Sequence, residues 1–333
     1  MHTRQVRILG TGKYLPKRLV TDEEMDMRLQ TRSGWVRKTT DVAVRHFAGD
    51  GETASYMGAR AAEAALAAAG LTFADIDCLV CTSGTKEQAL PSTASLIQLA
   101  LGEEMSGVPA FDIDATCISF LTGLDVMSYL VDAGRYRHVL LVSSEIASVG
   151  LNWDEKESAG LFGDGAAAAV IGRSQEGEAS AILNASMKTY GKGARLSEIR
   201  GGGTRLHPRE HNAATEKDFL FDMNGQAIFK MASKLLPGFV DDLLIPAGLS
   251  MADFKVVIPH QGSAMAMRLL RKKLGITEEQ LMYITPNHGN TIAASIPMGL
   301  HEAINQGKIG RGDKVLLIGT AAGLSLGGMV LVY

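Results

Sequence analysis

Two stretches of this 333-residue chain repeat each other at almost one spacing, and that repeat constrains the fold more than any other feature. Gly70-Leu71-Thr72-Phe73-Ala74-Asp75-Ile76-Asp77-Cys78-Leu79-Val80 matches Gly248-Leu249-Ser250-Met251-Ala252-Asp253-Phe254-Lys255-Val256-Val257-Ile258, Asp75 corresponding to Asp253. Gly134-Arg135-Tyr136-Arg137-His138-Val139 likewise matches Gly310-Arg311-Gly312-Asp313-Lys314-Val315, Gly134 corresponding to Gly310 at almost the same separation. Two helix-to-strand junctions at nearly one offset argue for two copies of one unit. Each copy alternates helices with continuous apolar strands, the pattern of a mostly parallel sheet covered by helices. The spacing therefore predicts an α/β chain of two similar halves, residues 1–173 and 174–333. Val6 to Leu9 reads as a first strand closed by Gly10 and Gly12. Residues 174–216, with Gly201-Gly202-Gly203 and then Arg205, His207, Arg209 and His211, fit neither copy and read as an inserted flap or a solvated loop.

Composition narrows the function. With 33 basic against 36 acidic residues, the chain has no basic field of the kind that binds nucleic acid. No apolar run reaches the length of a membrane span. Met1 leads straight into the first strand with no secretory signal ahead of it, and three cysteines fit a reducing cytoplasm. Cys78 and Cys81 form a CxxC, but on a strand residues three apart face opposite ways, so they read as core thiols and not as a metal or redox pair. Gly10-Thr11-Gly12 lacks the third glycine and helix of a dinucleotide site.

Three segments bring reactive groups to strand ends, where sheets of this type bind ligands. Phe111-Asp112-Ile113-Asp114-Ala115-Thr116-Cys117 reads as a short strand turning into a helix. Cys117 falls near the helix N-terminus, where unpaired N–H groups favour a thiolate and lower its pKa; a small buried thiol is the other reading. His260 closes the apolar run Val256-Val257-Ile258-Pro259. Asn290 lies in Pro286-Asn287-His288-Gly289-Asn290-Thr291, ahead of a helix, near the second-copy counterpart of the Cys117 turn. A lone histidine or asparagine at such a place is commonly structural. A Cys, a His and an Asn at three strand ends form a set that can do nucleophilic chemistry.

With Leu90-Pro91-Ser92, Phe162-Gly163-Asp164-Gly165 and Gly323-Leu324-Ser325-Leu326-Gly327, these segments resemble the β-ketoacyl-[acyl carrier protein] synthase III family nearly end to end. The resemblance implies the thiolase fold, a duplicated five-layer αβαβα arrangement, in a homodimer with no permanently bound cofactor and no metal. It implies that Cys117 takes an acyl group from acyl-CoA, and that malonyl-acyl carrier protein then loses CO₂ and condenses with it to begin a fatty acid. His260, neutral with Nε2–H, and Asn290 would donate to the thioester oxygen where enolate charge develops. The N–H groups of Cys117 and Ala322 would form the oxyanion hole; the family's all-glycine turn is here Ala321-Ala322-Gly323.

The resemblance also places Trp35 and Lys156 at the CoA adenine, lysine standing where the family has a stacking arginine. Leu90 replaces an aromatic residue that closes the acyl pocket across the dimer, so the primer is expected to be longer than acetyl. Met265 takes the place of a carrier-docking arginine, and Arg268, Arg271 and Lys272 on the next helix are its candidate substitutes, unless they form an ordinary solvated face. Two other readings remain: an acyltransferase that passes its acyl group to oxygen or nitrogen without decarboxylation, and a silent partner subunit. A hydroxymethylglutaryl-CoA synthase would need a glutamate where Cys81-Thr82-Ser83-Gly84 stands.

Overall fold

A computed structural model describes residues 3–333; Met1 and His2, part of the lead-in read above, lie outside the described residues. The first sheet contains β1 (Val6–Tyr14), β2 (Cys78–Cys81), β3 (Ala110–Asp112), β4 (His138–Glu145) and β5 (Gly165–Arg173) in the order β1-β5-β4-β2-β3. The second contains β6 (Ala181–Thr189), β7 (Val256–Pro259), β8 (Lys314–Ala321) and β9 (Ser325–Val332) in the order β7-β8-β9-β6. Reversed, that order matches the first sheet strand for strand. The counterpart of β3 is reduced to a parallel bridge between Val257 and Leu281.

The repeated junctions fold alike down to their caps. Asp75 accepts from the backbone N–H of Thr72 at 2.9 Å, and Asp253 from that of Ser250 at 2.8 Å, each closing a capping box ahead of its strand.

Helices α1 (Ala54–Ala69), α2 (Ser119–Asp132), α3 (Gly225–Leu244), α4 (Ala264–Leu274) and α5 (Ser295–Asn305) complete the layers. Helices α2 and α5 lie between the sheets, in one core with Val139 and Leu141 of β4 and Val315 and Leu317 of β8. The alternate residues Leu140 and Val142 face α1, and Leu316 and Ile318 face α3 and α4. Both faces of both sheets are thus covered, which is why the strands read as unbroken apolar runs. The result is the expected αβαβα thiolase-like architecture. Cys78 and Cys81 point into opposite cores, as their spacing requires.

Two expectations are corrected. β1 does not stop at Gly10; it runs on to Tyr14. Its glycines let α1 lie directly on the strand, since a Cβ at Gly12 would come within 2.2 Å of the Ala61 carbonyl oxygen. The segment 174–216 is not one inserted flap either. β6 lies inside it and pairs with β9 along its length, because its residues supply the strand that opens the second sheet. The irregular part follows β6 and is tied by a two-residue pairing of Ser197–Glu198 with Asp222–Met223.

Candidate active site

Cys117 and Asn290 enter the site on two turns of the same design. In the first, Asp114 Oδ1 accepts the Thr116 N–H at 2.8 Å, and Thr116 adopts a left-handed φ of 52°. A 3₁₀ turn, Thr116–Ile118, then leads into α2. In the second, Asn290 Oδ1 accepts the Ile292 N–H at 2.9 Å, Ile292 has φ 49°, and the turn Ile292–Ala294 leads into α5. Asp114 and Asn290 are separated by the same offset as Gly134 and Gly310, so they hold one position in the two copies. Asn290 is held further by the chain around Phe162: its N–H donates to Leu161 O at 2.9 Å, and Gly163 N–H donates to its carbonyl at 3.1 Å.

His260 directly follows β7, its N–H bonded to Ile318 O at 2.8 Å. Glycines set the spacing between these pieces. A Cβ on Gly319 would lie 3.0 Å from both His260 Cβ and Ile118 Cγ2, and one on Gly84 would lie 2.9 Å from Ile292 Cγ2 and 3.2 Å from the Thr116 carbonyl carbon. The Asn290 amide Nδ2 donates to Gly262 O at 3.4 Å, and a Cβ on that glycine would be 3.6 Å from His260 Nε2. Cys117, His260 and Asn290 all line one cavity of about 1930 Å³. The three groups expected to act together are together.

The electrostatics differ from expectation. The Cys117 thiol is pushed up to about 12, first by burial and then by the Glu145 carboxylate; the N–H groups of Ala322 and Cys117 face the sulfur and pull the other way. The expected lowering at a helix N-terminus is therefore outweighed. A 3₁₀ turn precedes α2, and desolvation of the thiolate exceeds what two N–H donors return. The same two N–H groups are the pair anticipated for an oxyanion. Burial pushes His260 down to about 4, so its ring is neutral at neutral pH.

The other expected residues divide. Lys156 lines the cavity, and its ammonium donates to Gln30 O at 3.5 Å. Trp35 packs against the small core beside it, with Trp153, whose ring stacks under Arg28 at 3.4 Å. Leu90 is 83% exposed and lies outside this chain's own cavity lining. Arg268 and Lys272 are exposed on α4, whereas Arg271 is ion-paired with Glu278. Part of the segment after β6 walls the cavity through Ile199, Phe219, Phe221 and Met223. It is knotted around Arg200, which bonds Glu198, Asp218 and Asp222.

Two residues that sequence reading missed matter here. Glu145, fully buried at the end of β4, accepts from Gly84 N–H at 2.7 Å and from Thr85 N–H and Oγ1 at 2.9 and 2.6 Å. Burial raises it to about 8. Its signal was an acid closing an apolar strand. Ser295 bonds His260 Nδ1 at 2.8 Å, and its only signal was its place after Asn290.

Against known proteins, residues 111–191 match the family model for 3-oxoacyl-[acyl-carrier-protein] synthase III, and residues 244–333 match its C-terminal model. The β-ketoacyl-[acyl-carrier-protein] synthase III of Acidiphilium cryptum is 34% identical over 97% of this chain and 98% of its own length. The chain belongs to the 3-oxoacyl-[acyl-carrier-protein] synthase III family. The synthase III of Thiobacillus denitrificans is 35% identical over 98% of this chain and 99% of its own. The crystal structure of the Aquifex aeolicus synthase III superposes with a TM-score of 0.88 at 33% identity, covering 98% of this chain and all of that one. Among the described residues of this synthase III relative, no helix is long and apolar enough to cross a membrane.

Proposed function

We propose that this chain condenses an acyl group held on Cys117 with malonyl-acyl carrier protein, releasing CO₂ and giving the 3-oxoacyl thioester that begins a fatty acid. The observation that carries this reading is the meeting of Cys117, His260 and Asn290 at one cavity from three distant parts of the chain. Cys117 Sγ attacks the acyl-CoA carbonyl while the N–H groups of Cys117 and Ala322 take up the oxyanion charge. The malonyl thioester then lies with its oxygen at Asn290 Nδ2 and His260 Nε2, so charge that appears only as the carboxylate leaves meets a preorganised polar site. Its carbanion attacks the acyl-Cys117 carbonyl.

CoA enters past Lys156 and the wall formed by Phe219 and Phe221. The acidic carrier docks on Arg268 and Lys272 of α4, with Arg271 contributing once released from Glu278. The working form is a homodimer joined along the exposed edge of β3, where Phe111 faces outward and the Leu90 loop can reach a partner's pocket. Leucine in place of an aromatic ring at that position favours a primer longer than acetyl.

Incubation with acyl-CoA followed by mass spectrometry should show an acyl adduct on Cys117, and malonyl-acyl carrier protein should then release CO₂. An adduct without CO₂ release would indicate transfer to oxygen or nitrogen instead. Absence of an adduct across a ladder of chain lengths would indicate a silent subunit. A clear optimum at acetyl would reject the longer primer, and a monomer by light scattering would reject the dimer.

A further inference from the structure

We infer that Ser295 holds the neutral ring of His260 in its Nδ1–H form, leaving Nε2 as a bare proton acceptor at the cavity; the use made of that acceptor rests on the condensation reading above. Ser295 is fully buried, and its hydroxyl has one proton for two partners, Ile292 O at 2.8 Å and His260 Nδ1 at 2.8 Å. The Gln261 N–H points at the same oxygen from 3.3 Å. The first copy indicates where the proton goes. Ser119, which precedes Ser295 by the offset of the repeat, has the same place on its turn. Its hydroxyl donates to Thr116 O at 2.7 Å and accepts from the Ala115 N–H at 2.9 Å.

Donation to the turn's carbonyl is thus the shared bond, and Ser295 keeps it toward Ile292. Its lone pairs are what the imidazole meets, so Nδ1 carries the ring proton. Where the second copy has His260, the first has Thr82, which bonds Ser143. This assignment is the reverse of the Nε2–H form expected from the sequence.

A bare Nε2 suits a site whose thiol is held protonated. As the Cys117 sulfur bonds the acyl carbon, its proton passes to Nε2; as the bond from that carbon to the CoA sulfur breaks, the leaving thiolate takes the proton back. In the second step the entering malonyl carboxylate favours uptake of one solvent proton at Nε2. The doubly protonated ring donates Nε2–H to the thioester oxygen as the bond to CO₂ breaks and the new carbon–carbon bond forms. The Cys117 thiolate released at the end takes that proton. One proton is consumed per turnover, balancing the lost carboxylate. Ser295 touches no reacting atom and is a positioning residue.

Nitrogen-15 spectra of histidine-labelled resting protein at neutral pH, with His260→Gln used for assignment, test the ring directly. A protonated Nδ1 and a bare Nε2 are expected; Nε2–H in the wild type overturns the inference. In a second arm, acylation of Cys117 by acyl-CoA is followed by mass from about pH 6 to 9 in Ser295→Ala and Ser295→Thr. The alanine variant should acylate about tenfold or more slowly, and the threonine variant within about threefold of wild type. Wild-type rates in Ser295→Ala overturn the positioning role. If the wild type never acquires an acyl group, the condensation reading fails while the ring assignment is still decided by the spectrum.

Discussion

The Cys117 turn and the Asn290 turn share a side-chain oxygen that caps the turn, a left-handed residue and a serine bonded back to its carbonyl. They differ in what the capping residue can do. Asp114 is acceptor only when ionised, whereas Asn290 caps with Oδ1 and keeps Nδ2 to donate toward the cavity. They differ again at the strand end beside them, Thr82 in one copy and His260 in the other. The frame was duplicated; the nucleophile went to one copy and the polar groups for the developing charge to the other. Each could then change without unmaking its turn.

The largest effect should come from removing the nucleophile of the first turn. Cys117→Ala should lower condensation by ~10³-fold or more and abolish the acyl adduct, measured by product formation and mass. Next, Asn290→Asp keeps the capping oxygen but loses the donor. Condensation should fall ~10²–10³-fold while acyl transfer to Cys117 persists. The matching exchange, Asp114→Asn, keeps its cap and should stay within about threefold of wild type in both half-reactions. Equal losses from the two exchanges would break the comparison.

A third change asks how far Glu145 sets the thiol. Glu145→Gln removes its charge, so the thiol should titrate below its present value of about 12. Because Glu145 is held at about 8 and ionises only above that, alkylation by iodoacetamide should speed up by several-fold at about pH 9–10 and change little at neutral pH.

The smallest effect concerns His288, two residues before Asn290. Burial and then the Lys13 charge hold its ring down to about 4, against an ordinary 6.5. Its unfolded form takes a proton below 6.5 and its folded form does not until about 4. Its contribution is therefore complete above 6.5 and is lost as pH falls through that window. The stability gap between wild type and His288→Gln, from urea melts, should shrink by about 1.4 kcal/mol per pH unit there.

The architecture was legible because burial on both faces writes long apolar runs, and because the capping boxes at Thr72 and Ser250 repeat in sequence as well as in space. Cys117, His260 and Asn290 were legible as chemical types at strand ends. The thiol's protonation was not, since it depends on Glu145, contributed by β4, and on how deeply the turn is buried. β6 was missed because its partner β9 lies far along the chain, Ala181 pairing with Val332. Much of β6, Asn184 to Ser186 included, is also only partly buried and so lacks the apolar signal. The role of Ser295 needed the two turns overlaid, a comparison that exists only once both have folded.

Gly84 and Gly319 leave too little room for even one methyl group between the two turns. The approach of the first turn to His260 and to the second turn is therefore set at two positions that carry no side chain. The same economy makes these positions sensitive to the smallest addition: Gly319→Ala would act as a shim, parting His260 and Ile118 by a few tenths of an ångström.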